Sequence, residues 1–462
     1  MVASLTDKQI QHLYWRAGFG ITPKELKKVQ SYSKKKLIDH LFEQSNAVKP
    51  LYVDLGILKK NPEQLTKDEK KEFRKLQNQK VLEMNTLWFQ QMQKTEGILR
   101  EKMTLFFQNH FSVRLRMPQI MLHFHNTIRK HALGNFGEML MEVSKSPAMI
   151  RYLNNRQNRK GSPNENFARE VMELFTLGRD NKYTETDIKE AARAFTGWDF
   201  DKQFEFVFRK NRHDTGVKTV LGKTGNFNGE DIITILLKEQ QTANYITEKI
   251  YRFIVNDSPD PKNIKTLAKA FYESNYDIES LLRDIFMSKW FYDQKNIGVK
   301  IKSPVDLITG LGRQFNTTYE KPKALFFIQR KLNQMLFYPP NVAGWPGGRY
   351  WVDSSTLMIR LKLGSIILNN GVIDIDIKDD MPENRMIQKK SKKTGLAKRI
   401  RATGDWNAFL PHLNNTNKKD LVDFLIQPQL SETAQKIIAA SKNDNTQEFI
   451  VELLSLPEYQ LC

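Results

Sequence analysis

The chain has 462 residues, of which 40% are hydrophobic and 27% charged, and it carries a formal net charge of +20 at pH 7. These proportions exclude a fibrous repeat or a wholly disordered chain, and the length admits two or three average domains or one large body. No run of about 18 apolar residues occurs, as a membrane-spanning helix would need, and Met1 to Gly20 lacks the basic and apolar regions of an export signal, which makes a cytoplasmic location the default expectation.

The single cysteine, Cys462, allows neither an intramolecular disulfide nor a cysteine-based zinc site. The positive excess attracts polyanions through long-range fields and counterion release, although lysines on solvated helix faces give the same total.

In chain order, Thr6 precedes a helical pattern that Gly18 to Pro23 breaks, and a second helix begins near Lys24. From Thr66 to about Lys94, Phe73, Leu76, Met84, Leu87, Trp88 and Met92 make the apolar stripe of a long amphipathic helix, and Arg100 to Phe111 continues it. His123 to Lys145 reads as further helix, with a new start at Pro147. Between Trp198 and Leu221 the period changes. Phe204, Phe206 and Phe208 alternate with polar Gln203 and Glu205, the spacing of a half-buried strand, with Val217 to Leu221 as the expected hairpin partner.

Helical spacing resumes over 230–255, 264–271, 278–286 and 304–315, and Pro339 to Gly348 is a Pro/Gly-rich loop. The expected fold is mainly α, a large multi-helical body over 1–370 with a small β-hairpin insertion at about 198–221. Residues 371–405, with seven Lys or Arg between Lys389 and Arg401, read as a basic linker, and 406–462 as a short helical tail.

Four ordered stretches carry a family resemblance: HLYWRAGFG at 12–20, the segment 154–200 containing NENFAREVMELFTLG, HDTGVKTVLG from His213, and PPNVAGWPGGRYW at 339–351. Together with the C-terminal LLSLPEYQ, they resemble the bacterial family called domain of unknown function 1800. The resemblance implies a bacterial protein whose relatives are often exported. It also implies genes placed beside those of sulfatase or alkaline-phosphatase-like proteins, a candidate partner. It further implies that many relatives carry His where this chain has Phe175.

The residues of these stretches define a candidate site. Glu165, Arg169 and Glu173 are spaced by four, which makes an ion-pair ladder on a helix starting near Asn164. Glu170 and Glu173, three apart, can instead converge on one ion, and a carboxylic acid buried beside another serves as a general acid. Asn164 is the expected N-cap, and Arg156, Arg159 and Lys160 just upstream favour an anion at that helix start.

His213 beside Asp214 is either an acid–base pair or two metal ligands, against a plain loop in which Asp214 makes a turn bond; Lys218 follows. The glycines of GKTGNFNG at 222–229 lack the Gly-Lys-Ser/Thr ending of a phosphate loop and read as a rigid turn into a capped helix. His110, His123, His125 and His131 have spacings that suit core or surface positions better than chelation. Trp345, Arg349 and Trp351 offer an aromatic and cationic wall.

The leading expectation is an anionic substrate, of phosphate, sulfate or sugar type, held by Arg159, Lys160, Asn164, Lys218, Trp345 and Arg349. Glu170, Glu173, His213 and Asp214 would then supply acid–base or divalent-metal chemistry, including hydrolysis. The competing expectations are a non-catalytic, envelope-associated scaffold and a nonspecific nucleic-acid binder. No lipase-type elbow, His-Glu-x-x-His pair, EF-hand or dinucleotide fingerprint is present.

Overall fold

Helix after helix begins where a side chain satisfies the first exposed N–H groups. The computed structural model describes residues 4–59, 65–369, 401–413, 417–441 and 445–462. In α1 (Asp7–Ala17) and α2 (Pro23–Val29), Thr6 and Thr22 exchange reciprocal bonds with Gln9 and Glu25. α3 (Lys34–Ser45) is capped by Ser33, and the 28-residue α4 (Lys67–Lys94) by a Thr66–Glu69 box. Each such cap stabilises its helix by about 1 kcal/mol.

α5 (Ile98–His110) is buried on every side and forms the centre of the body. Its Glu101 is fully buried, accepting from Trp88 Nε1 at 2.9 Å and Arg129 Nη2 at 2.5 Å, so one carboxylate ties α5 to α4 and to α6 (Pro118–His131). The chain runs on through α7 (Phe136–Lys145), α8 (Pro147–Tyr152), α9 (Asn166–Met172), α10 (Glu185–Ala194) and α11 (Gly229–Leu237). It continues with α12 (Gln240–Ile254), α13 (Pro261–Glu273), α14 (Ile278–Met287), α15 (Pro304–Gln314), α16 (Lys323–Lys331) and α17 (Ser354–Leu368).

Three helices close the chain, Lys418–Leu425, Glu432–Ala440 and Thr446–Leu454. Their Leu421, Phe424, Phe449 and Leu453 belong to the same apolar cluster as Trp88 and Phe107, so these three helices share the main core. Most of the expected basic linker, including Lys389, lies outside the described residues. Its last part does not behave as a linker, because Ala402–Thr403 pairs antiparallel with Thr318–Tyr319.

The protein is mainly α, with small antiparallel hairpins. The strand pairing differs from the sequence expectation. Phe206–Phe208 (β2) pairs with Trp198–Phe200 (β1), whereas Lys218–Val220 (β3) pairs with Lys223–Gly225 (β4). Two consecutive two-stranded hairpins thus replace one long one, because Phe204 and Leu221 each take a left-handed turn conformation, with φ of 63° and 50°, and fold the chain back locally. Among the described residues no helix is long and apolar enough to cross a membrane.

Candidate functional site

Buried asparagines dock the basic loop at 154–163 onto the hairpin region. Asn155 Nδ2 donates to Phe195 O at 3.3 Å and Trp198 O at 3.4 Å, and Asn158 Nδ2 donates to Ala192 O at 2.8 Å. Gly197 N in turn donates to Asn158 O, and Lys160 N to Arg212 O at 2.8 Å. Two segments distant in sequence are therefore joined by backbone hydrogen bonds.

At this seam Asp199, on β1, has a side chain only 3% exposed. It accepts from Arg156 Nε and Arg209 Nε at 2.6 Å each, from its neighbour Phe200 N at 2.8 Å, and from Arg212 Nη1 at 3.5 Å. Burial pushes the carboxyl up, but the bond from Arg209, the Phe200 amide and Arg156 outweigh it and hold Asp199 below its ordinary range. One negative charge faces three guanidinium groups, whose side chains are 45%, 40% and 46% exposed. Arg156 also lies 4.6 Å above the Phe200 ring. Arg159 and Lys160 are exposed beside it.

The expected helix start is different in detail. α9 begins at Asn166 with Glu165 at the N-cap position and no side-chain cap; Asn164 Oδ1 instead accepts from Asn166 N in a turn that precedes the helix. This two-turn helix passes directly into a π-helical turn, Glu173–Leu177. Side chains satisfy the carbonyls displaced there: Thr176 Oγ1 donates to Val171 O, His110 Nε2 to Phe175 O at 3.2 Å, and Gln241 Nε2 to Leu177 O. Phe175 itself is buried, its ring 5.2 Å from that of Phe111, so this position serves packing in this chain.

One arginine gathers three of the carboxylates and leaves Glu170 aside. Arg169 bonds Glu165 at 3.1 Å and Glu173 at 3.2 Å, completing the ladder, and grips Glu185 with a two-bond fork. Glu170 is half-buried, its carboxyl pushed up by burial and then by Glu173, and its Oε2 has no hydrogen-bond partner among the described residues.

Asp214 faces Arg193, not His213, and that arginine holds it down to about 2. His213 is buried and donates from Nδ1 to Thr196 O at 2.9 Å. The pair therefore points apart, as adjacent residues in extended backbone do. Lys218, buried, spends its ammonium on Asp214 O at 2.6 Å and Gly216 O at 2.9 Å, which closes the loop rather than presenting a cation.

Among the described residues no three His, Cys, Asp or Glu side chains come together as a metal ion would require. The GKTGNFNG stretch forms the β3–β4 turn and then α11, capped by Asn228 with Asp231. Of the histidines, His110, His125 and His131 are buried and His123 is exposed.

Trp345 and Arg349 sit elsewhere. Trp345 is buried against α5, its backbone N–H donating to Asn109 Oδ1 at 2.7 Å and its carbonyl accepting from Asn109 Nδ2. Gly344 permits this approach: it adopts φ of 81°, and a Cβ there would lie 2.2 Å from Asn109 Oδ1. Only Arg159 and Lys160, of the expected binding residues, border the Asp199 cluster with ammonium or guanidinium groups at the surface.

The family model described as "Protein of unknown function (DUF1800)" matches residues 12–461. The chain belongs to the DUF1800 family. No curated protein and no solved structure matches it. Within this DUF1800 chain the sequence reading overlooked Asp199, Arg209 and Arg212. Their only local sign is an acidic residue between two aromatics in a short strand, Trp198-Asp199-Phe200, where burial of Asp199 demands cationic partners.

Proposed function

We propose that the protein binds an anionic group, phosphate or sulfate in character and carried on a larger molecule, at the arginine cluster around Asp199. The carrying observation is the imbalance of charge. Three half-exposed guanidinium groups share one buried carboxylate, which fixes their positions while leaving them donors directed at solvent. Guanidinium forks match tetrahedral oxyanions, and the aromatic support under Arg156 and the hydrogen bonds to Asp199 restrict their motion before binding.

The chain's net charge of +20 adds long-range attraction for such a ligand. A sulfatase- or phosphatase-like partner, implied by the family resemblance, would handle the same chemical groups. Binding is the activity this reading assigns. Glu173 and Asp214 are held by different arginines, Arg169 and Arg193, so the reading routes no hydrolytic step through them.

Fluorescence anisotropy of labelled polyphosphate, titrated with the purified chain at several salt concentrations, tests the reading. The double variant R209A/R212A should bind at least tenfold more weakly, with a shallower dependence on salt, while its far-ultraviolet circular dichroism is unchanged. Equal affinity for the native and variant chains would refute it.

A further inference from the structure

Elsewhere in the body, a second group of basic side chains is buried outright. Arg16, on α1, is 1% exposed, and Lys302 and Arg360 are fully buried. Each guanidinium makes one bond to a backbone carbonyl, Arg16 Nη2 to Asn296 O at 2.7 Å and Arg360 Nη2 to Lys302 O at 2.6 Å. Nε and Nη1 of both arginines, four buried donor atoms, find no hydrogen-bond partner among the described residues. Neither arginine makes an ion pair with a carboxylate among the described residues.

The residues form one neighbourhood. Lys302 Nζ lies 4.0 Å from the centre of the Trp15 ring, next in sequence to Arg16, and 3.7 Å from that of Tyr459, to whose carbonyl it donates at 2.6 Å. Asp306, on the first turn of α15, acts electrostatically on Arg16, Lys302 and Arg360 together, but its carboxylate is already bound to Lys102 at 2.6 Å. Cys462 acts electrostatically on the same three groups, and Asp257 acts on Arg16 while pairing with Lys300. Burial pushes the Lys302 ammonium down to about 7, so near neutral pH Arg16, Lys102, Arg360 and a part-protonated Lys302 are set against Asp306 and Cys462.

A buried charge left without a partner is strongly destabilising, and an unmade hydrogen bond at a buried donor adds to that. Proteins retain such an arrangement where a ligand supplies the missing charge and acceptors. Two forked donors and an ammonium suit the several acceptor oxygens of a tetrahedral anion.

We infer that Arg16, Lys302 and Arg360 form an internal binding site for a small oxyanion, phosphate or sulfate, separate from the surface cluster at Asp199. Its depth restricts it to small ions, whereas the surface cluster is open to groups on large molecules. The anion would join α1, the segment before α15, and α17, three elements distant in sequence, and so stabilise the assembled body.

Calorimetric melting of the full chain tests this, with inorganic phosphate or sulfate replacing chloride at constant ionic strength. The midpoint should rise with the logarithm of phosphate concentration once the site begins to fill. The R209A/R212A variant should show the same rise, which separates this site from the surface one. R360M should abolish the rise and melt higher than the native chain in chloride alone, since it removes an uncompensated buried charge. Should R360M not fold, R360K keeps the charge but loses the fork, and the phosphate giving half the effect should increase at least tenfold. A native midpoint indifferent to phosphate and sulfate, or a rise that survives R360M, or one that R360K leaves at the same concentration, would overturn the inference.

Discussion

Arg193 holds Asp214 with two parallel bonds, Nε to Oδ2 at 2.8 Å and Nη2 to Oδ1 at 3.1 Å, and Gly216 N adds a third at 2.8 Å. The fork from Arg193 lowers the Asp214 carboxyl from its ordinary 3.8 to about 2, against the opposing pull of burial. A group whose folded pKa is depressed contributes stability that is complete above the unfolded value and is lost as pH falls through the folded one. D214N should therefore unfold more easily at pH 7, by on the order of 1 kcal/mol for a partly exposed pair. The difference from the native chain should shrink as pH falls from about 4 to about 2. Urea midpoints measured across that interval check it, and a constant difference would contradict the assignment.

Asp199 offers a prediction in which stability and binding move in opposite directions. Asn in its place keeps the shape but leaves Arg156, Arg209 and Arg212 without their shared counter-charge. Because these arginines reach water, the loss should be moderate, about 1–3 kcal/mol in urea unfolding. The same change raises the local positive charge, so D199N should bind polyphosphate more tightly at low salt, with a steeper salt dependence than the native chain. Weaker binding by a folded D199N would mean that arginine positioning outweighs charge.

Glu101 should be far less tolerant. Its carboxylate is fully buried and takes Arg129, Trp88 and Gln91 together. E101Q leaves Arg129 buried without its carboxylate, a loss of about 3–5 kcal/mol, because the remaining charge cannot be rehydrated in place. Equilibrium unfolding with matched fluorescence and circular dichroism measures it. A loss below about 1 kcal/mol would indicate that water reaches Arg129.

What the sequence made legible follows the range of the interactions involved. The Thr6 start of α1, the Glu165–Arg169–Glu173 ladder and the apolar stripe of α4 all operate within four residues or one helix, and they stand as read. The alternation of Phe204, Phe206 and Phe208 marks a strand but carries no information about its partner, which the turn at Phe204 determines. The partners of Asp199 lie 43, 10 and 13 positions away, a relationship no local pattern encodes. Arg16, Lys302 and Arg360 were invisible for a different reason. Arginine and lysine are ordinarily surface residues, so composition counts them as solubilising charge until the fold encloses them.

Gly229 links that fold to the surface cluster, and it supplies a test of whether the hairpin must be held rigidly. It opens α11 directly over β1, where a Cβ would lie 2.3 Å from the Trp198 ring and 2.6 Å from that of Phe195. Neither ring can move far, because Trp198 stands edge-on to Phe195 at 5.1 Å and to Phe206 at 5.3 Å within the core. G229A should therefore destabilise by about 1–3 kcal/mol, the usual cost of forcing an added methyl into a packed interior. The strain falls on the residue next to Asp199, so polyphosphate affinity should drop as well, although no binding residue has changed. Restoring space with W198F in the G229A background should recover part of both losses. If the second substitution recovers stability but not affinity, the indole of Trp198 positions the arginine cluster by itself; recovery of neither would show that the clash lies elsewhere.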